Sequence, residues 1–237
     1  MTAHDHRRVI AIDGPGAAGK TTVARLLAEA TGSLLFDTGS LYRAVTLAAQ
    51  RRRVSLDDGD ALGDLAAALD IQLARPSIDD GRLIDVLVDG EDVTWAIRTP
   101  EVDADVSQVS AYPQVRAALL DVQRRIADGV PVVMVGRDIG TVVTPNAGLK
   151  IYLDASPEER ARRRWAERAG HDSSMTYDEV LEDLRRRDAY DSGRDVAPLR
   201  AADDAVHILT DGRTVEEIVN ELQRLVEARW AAYGVTS

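Results

Sequence analysis

The sequence predicts an α/β fold, a parallel β-sheet core flanked by helices, and three observations carry that expectation. Short apolar runs that read as strands alternate with longer stretches whose apolar residues recur at helical spacing. The run Pro131-Val132-Val133-Met134-Val135 is continuously apolar, as expected of a strand covered on both faces of a parallel sheet. Finally, Val9-Ile10-Ala11-Ile12 leads through a glycine-rich turn into a helical pattern over Thr22 to Ala30, in the order strand, turn, helix.

That turn, Gly14-Pro15-Gly16-Ala17-Ala18-Gly19-Lys20-Thr21, is a complete G-x-x-x-x-G-K-[ST] phosphate-binding loop in its proper context. Its glycines let the backbone fold closely around a di- or triphosphate, so that N–H groups and the positive helix end face anionic oxygens. Lys20 is expected to reach the β- and γ-phosphates and the Thr21 hydroxyl to ligate Mg²⁺. Gly14, Pro15, Gly16, Ala17, Ala18, Gly19, Lys20, Thr21 and Thr22 thus form the expected cofactor-binding set, for a nucleoside triphosphate, with Thr21 as the metal ligand.

The 237 residues suffice for one α/β domain with inserted subdomains. Forty acidic against 29 basic residues give a net charge of −11, which argues against a general binder of nucleic acid or of membrane surfaces. Any anion must be captured by local clusters of arginine. With no cysteine there is no disulfide, thiolate zinc site or thiol nucleophile. His4 and His6 lie in a polar leader that reads as a tail rather than a metal site. No stretch approaches a membrane span and no signal-peptide core is visible, so a cytoplasmic location is expected.

Along the chain, Gly32 reads as the glycine ending the first helix, and Leu34-Leu35-Phe36 as a short strand closing on Asp37-Thr38-Gly39-Ser40. A helix with Leu41, Val45, Ala48 and Ala49 on one face follows, with Tyr42 and Arg43 near its start. This is either an ordinary capped helix or a second anion site. After a short helix from Leu62 to Leu69, Ile71-Gln72-Leu73 and Leu83 to Val88, separated by Pro76 and Asp79-Asp80-Gly81 and followed by Asp89-Gly90, alternate like antiparallel hairpin strands. Glu101 to Tyr112 and Val115 to Ile126 return to helix, broken at Pro113. The Pro131–Val135 strand ends in Gly136-Arg137-Asp138-Ile139-Gly140-Thr141, polar residues placed where open α/β sheets bind ligands. Leu149 to Leu153 and Val206 to Leu209 complete the strands, and a helix from Val215 to about Tyr233 packs Ile218, Leu222, Leu225, Val226 and Trp230 inward.

Arginines concentrate between the last two strands. Ser156-Pro157-Glu158-Glu159 starts a helix with capping-box features, followed by Arg160, Arg163 and Arg164 on one face. Such a face either meets an anion or is a solvated helix surface neutralised in part by Glu159 and Glu167. A second cluster comprises Arg185-Arg186-Arg187-Asp188, Asp191 and Arg194, in which Arg187 and Asp191 are spaced to pair with each other.

Read jointly, Ile12-Asp13-Gly14-Pro15 through Lys20-Thr21-Thr22, Asp37-Thr38-Gly39 with Tyr42-Arg43, Gly136 to Thr141, and Arg187-Asp188 through Arg194 to Ala197-Pro198-Leu199 resemble the bacterial cytidylate kinases. Gly90-Glu91-Asp92-Val93 and Ile97-Arg98-Thr99 extend the likeness over nearly the whole chain. The resemblance implies a single P-loop kinase domain over residues 1–237. It would comprise a P-loop NTPase-like sheet core, a small β-rich acceptor-binding insert at 71–98 and a short helical lid at 156–170. It implies transfer of the ATP γ-phosphoryl group to CMP or dCMP, with Mg²⁺, in a monomer that binds neither nucleic acid nor membrane. Carried over by matching positions, Thr38, Arg43 and Arg137 would hold the acceptor's phosphate, and Ser107, Arg116, Asp138 and Arg194 would surround the cytosine. Arg187 and Asp191 would meet the ribose side, while Arg160, Arg163 and Arg164 would close on the donor's phosphates. Lys20, Arg137, Arg160, Arg163 and Arg164 are the expected catalytic residues.

Cytosine offers an amine donor beside a ring-nitrogen acceptor, so Asp138 can accept from the amine while an arginine donates; uracil would set a carbonyl against the carboxylate. The chain departs from the family at three positions. Gly16-Ala17-Ala18-Gly19 stands for the usual Ser-Gly-Ala-Gly, so Ala17 must adopt backbone angles compatible with a Cβ; Thr38 replaces the commoner serine; Thr21 stands where glycine or serine is frequent. A nucleotide switch is the reading from another class, but no Asn-Lys-x-Asp guanine reader occurs. Kinases for UMP, thymidylate or shikimate are the nearest enzymatic alternatives.

Overall fold

The computed structural model describes residues 6–128, 130–169, 176–194 and 196–234. Its main sheet is parallel throughout, in the order β2-β6-β1-β7-β8, where β1 is Val9–Asp13, β2 Leu34–Asp37, β6 Val132–Val135, β7 Leu149–Asp154 and β8 Val206–Leu209. Because side chains alternate across a strand, the two faces of the sheet feed two cores. Val9, Ala11, Val132 and Met134 pack on one side with α2 (Gly39–Arg52), α3 (Gly59–Ala68), α4 (Pro100–Val109) and α5 (Pro113–Ala127). Ile10, Ile12, Val133 and Val135 pack on the other with α1 (Lys20–Thr31) and α8 (Val215–Ala232). This two-sided burial is why the central strands read as unbroken apolar runs. The carboxyl ends of β1, β2 and β6 meet at one edge, the position where such sheets bind ligands.

A separate antiparallel sheet, β3-β4-β5, is formed by β3 Ile71–Ala74, β4 Asp85–Val88 and β5 Glu91–Asp92. β4 starts later than the alternation from Leu83 predicts. Arg82 binds Asp80, Asp85 and Asp92 at 2.7 to 3.0 Å, and this ion cluster holds the preceding loop out of the ladder. β5, only two residues long, is not assigned as a strand in the sequence reading, although the Asp89-Gly90 turn before it is legible there. Asp89 and Gly90 both have positive φ (53° and 84°), the requirement of a tight two-residue hairpin turn, and they fold Glu91–Asp92 back on β4.

α6 (Pro157–Ala169) and α7 (Tyr177–Ser192) pack against each other through Ala161, Val180 and Leu184. The capping box expected at Ser156 is only half made. Ser156 Oγ accepts from the Glu159 N–H at 3.3 Å, but the Glu159 carboxylate binds Arg162 and Arg163, and Asp211 takes the Ser156 N–H instead. Residue 170, the end of the expected lid, lies outside the described residues.

Candidate active site

The phosphate-binding loop joins β1 to α1, and its glycines are required by geometry at two points. A Cβ on Gly14 would lie 2.0 Å from the Leu153 carbonyl oxygen, and Gly19 takes φ 87° at the helix start. Ala17 has φ 60°, in the left-handed region, so the alanine standing for glycine is not strain-free; such a residue costs about 1–2 kcal/mol. Its methyl packs on the Ala161–Val180–Leu184 cluster, which ties the loop to α6 and α7. Asp13, buried at the end of β1, accepts from the Ile139 and Gly140 N–H groups, both at 2.8 Å. Burial pushes its carboxyl up to about 6 despite these two bonds. It clips the loop strand to the π-turn over Ile139–Val143, which begins directly after Arg137 and Asp138.

A cavity of about 190 Å³ opens between the loop and the ends of β2 and β6. Gly16, Ala17, Lys20 and Thr21 line it from the loop, and all nine residues expected to bind the acceptor line it as well: Thr38, Arg43, Ser107, Arg116, Arg137, Asp138, Arg187, Asp191 and Arg194. The structure therefore brings together residues drawn from positions 16 to 194. A wider cleft of about 1590 Å³ continues outward between α4 and the α6–α7 pair, past Arg98, Asp103 and Trp95.

Seven cationic side chains against three carboxylates line the inner cavity, in a chain whose net charge is −11. A concave site of one sign focuses the field on an anionic ligand. Lys20 Nζ donates to the Pro15 carbonyl at 2.6 Å, and burial, with Arg137 nearby, lowers its pKa to about 7. Arg187 is lowered to about 10 by burial and then by Arg137. Among the described residues its Nε has no hydrogen-bond partner and no carboxylate forms a salt bridge with it. The Arg187–Asp191 pairing open from the sequence is not formed. Asp191, 1% exposed, instead binds Arg137 Nε and Arg194 Nη2. Deeper in, Asp138 Oδ2 accepts from Arg116 Nη2, whose guanidinium also donates to Ser110 O at 3.0 Å and lies 5.3 Å from the Tyr42 ring. Thr38 Oγ1 donates to the Val135 carbonyl at 2.9 Å.

The three arginines of α6 expected to meet the donor's phosphates go to three places. Arg160 is buried, donating to Ala155 O (2.9 Å), Gly16 O (3.2 Å) and Asp188 (2.6 Å), and lines neither cavity. Arg163 binds Glu159 and Thr210, and Arg164 reaches Asp103 at 3.1 Å. They share a helix face by spacing, but the neighbouring elements separate them. Asp37 is a site residue that the sequence reading passed over. Its Oδ2 accepts from Thr21 Oγ1 at 3.3 Å and its Oδ1 from the Gly39 N–H at 3.0 Å. The available signal was its position, a carboxylate at the end of a parallel strand beside the loop.

The family model for cytidylate kinase matches residues 10–228. Cytidylate kinase from Herpetosiphon aurantiacus is 50% identical over 217 residues, covering 92% of this chain and 93% of the relative. That from Chloroflexus aggregans is 49% identical over 225 residues, covering 94% and 96%. Among solved structures, shikimate kinase from Acinetobacter baumannii aligns with a TM-score of 0.47 at 16% identity over 93% of each chain. By the extent of the family match and the identity to these relatives, the chain belongs to the cytidylate kinase family.

Proposed function

We propose that the inner cavity joins MgATP to CMP or dCMP and transfers the γ-phosphoryl group between them, giving ADP and the nucleoside diphosphate. An oxygen of the acceptor's phosphate forms a bond to the γ-phosphorus as the bond from that phosphorus to the β-bridging oxygen breaks. Little covalent work falls to the protein, so positioning and charge neutralisation are what its residues must supply.

The observation that carries the reading is the shared cavity: Lys20 and Thr21 open onto the same space as the buried Arg116–Asp138 pair. A donor beside an acceptor matches the ring nitrogen and amine of cytosine, and Asp138 is the group that refuses uracil. Asp191 fixes two guanidinium groups at once, Arg137 toward the phosphates and Arg194 toward the base. Arg187, without a carboxylate of its own, completes its interactions with a phosphoryl oxygen rather than with the ribose side alone. Thr38 and Arg43 hold the acceptor's phosphate, Ser107 the base, and Arg163 and Arg164 come to the donor's phosphates as a lid over 156–170 closes. Arg160 supports the loop through Gly16 O and does not meet the nucleotide.

Thr21 Oγ1 and Asp37 Oδ2, 3.3 Å apart beside the loop, are hard oxygen donors of the type that suits Mg²⁺. Among the described residues no three carboxylate or imidazole groups converge as a cage. This fits an ion carried mainly by phosphates and water with one or two protein ligands. When bound, the ion neutralises charge on the β- and γ-phosphoryl oxygens.

The test is an acceptor panel of CMP, dCMP, UMP, dTMP and shikimate with MgATP, read as ADP formed. Turnover with CMP and dCMP well above the others is expected. A preference for any other acceptor, or ADP release independent of acceptor, rejects the assignment.

A further inference from the structure

Asp103 has no part in the reading above, yet it stands as a phosphate would. It lies on α4 and divides its two oxygens between arginines of two other elements: Oδ1 accepts from Arg43 Nη2 on α2, and Oδ2 from Arg164 Nη2 on α6 at 3.1 Å. Burial works against its charge, but Arg43, Arg164 and Arg187 together hold its carboxyl below the usual carboxylate range. It is therefore an anion at neutral pH. Arg43 and Arg164 both line the inner cavity, whereas Asp103 lines only the outer cleft, so it grips the two guanidinium groups from the mouth side. One oxygen for each of two guanidinium groups is also how a phosphate engages an arginine pair.

We propose that Asp103 is an internal stand-in for the nucleotides' phosphates, bridging α4 to α6 until Arg43 passes to the acceptor's phosphate and Arg164 to the donor's. This rests on the reading of Arg43 and Arg164 as phosphate-binding groups. Without a counter-charge the two guanidinium groups and Arg187 would repel one another; Asp103 offsets that repulsion. The same ion pairs must be given up as the phosphate arrives, and the carboxylate then stands as a like charge beside it, so Asp103 weakens substrate binding. It acts on affinity and on the coupling of α6 to α4, and not on the reacting atoms.

The experiment compares wild-type protein with Asp103→Asn and Asp103→Ser, and with Asp103→Glu as the charge-preserving control. KM and kcat for CMP are measured at saturating MgATP, and thermal unfolding is followed with and without CMP. Both neutral variants should lower KM for CMP on the order of three- to tenfold with kcat unchanged. The empty variants should melt below wild type, and CMP should raise their melting temperature by more than it raises that of wild type. Asp103→Glu should show no fall in KM. An unchanged or higher KM in the neutral variants overturns the proposal, as does an equal loss of melting temperature with and without CMP, the mark of a mere strut. Loss of the fold in both neutral variants also overturns it, because a contact surrendered on every turnover cannot be essential to the native state. A wild-type protein that does not phosphorylate CMP would instead remove the functional reading itself.

Discussion

Asp138→Asn tests the base-reading pair with the least disturbance of shape. In the structure Asp138 is 5% exposed and gives Oδ2 to Arg116, and no described residue donates to Oδ1, which is left for the cytosine amine. The amide keeps one acceptor for Arg116 but loses the charge, and it presents an NH₂ donor toward the base. A hydrogen bond to a charged group contributes about 1.5–3 kcal/mol, and an acceptor facing an acceptor leaves a buried group unpaired at about 1–3 kcal/mol. CMP loses the first quantity and UMP recovers the second. The ratio of kcat/KM for CMP over UMP should therefore fall by about 3 kcal/mol, roughly a hundredfold or more. Arg116 retains the Ser110 carbonyl and the Tyr42 ring, so the fold should survive with a loss of about 2 kcal/mol, below the cost of leaving a buried partner wholly unpaired. ADP formation with each acceptor gives the ratio, and urea denaturation checks the fold. An unchanged ratio in a folded variant would show that the base is read by other groups.

Two further outcomes concern the charges around the phosphates. Asp191→Ala leaves Arg137 and Arg194 without their shared carboxylate and should destabilise the protein by about 3–5 kcal/mol in urea while raising KM for CMP; a loss under about 1 kcal/mol would mean that solvent already carries those guanidinium groups. Lys20, lowered to about 7 by burial, binds fewer protons folded than unfolded, so its contribution to the stability of the empty protein rises with pH between about 7 and 10.5. A triphosphate beside it restores the charged form, so MgATP binding at pH 8 should take up about 0.9 proton, as measured by calorimetry in buffers of different ionisation enthalpy. Uptake should vanish in Lys20→Ala, and uptake that persists there would assign the proton to another group.

Much of the architecture was legible because local rules and the tertiary fold agree. The two-sided burial of β1 and β6 appears in the sequence as unbroken apolar runs, and the loop between β1 and α1 announces itself through residues that its geometry demands, Gly14 above all. β5 escaped because two residues carry no period, although the Asp89-Gly90 turn that folds them back onto β4 with positive φ was legible. The late start of β4 escaped because it depends on Arg82 finding three carboxylates, two of them within three residues and the third across the hairpin.

By itself the sequence determined the chemistry on offer: a triphosphate loop, an anion site that must be built from arginine in an acidic chain, and a carboxylate beside a β6 terminus suited to reading a base. The loop and the arginine clusters are properties of residue type and short spacing; the base-reading role of that carboxylate came from the resemblance to the family. What only the tertiary structure decided is which charge answers which. Helical spacing put Arg187 opposite Asp191, yet Asp191 serves Arg137 and Arg194; it put Arg160, Arg163 and Arg164 on one face, yet Gly16, Thr210 and Asp103 draw them apart. The reason is physical. A long flexible side chain satisfies its charge with whatever partner the packing brings within a few ångströms, and apart from Arg194, three residues from Asp191, these partners lie on other elements, 47 to 144 residues away in the chain.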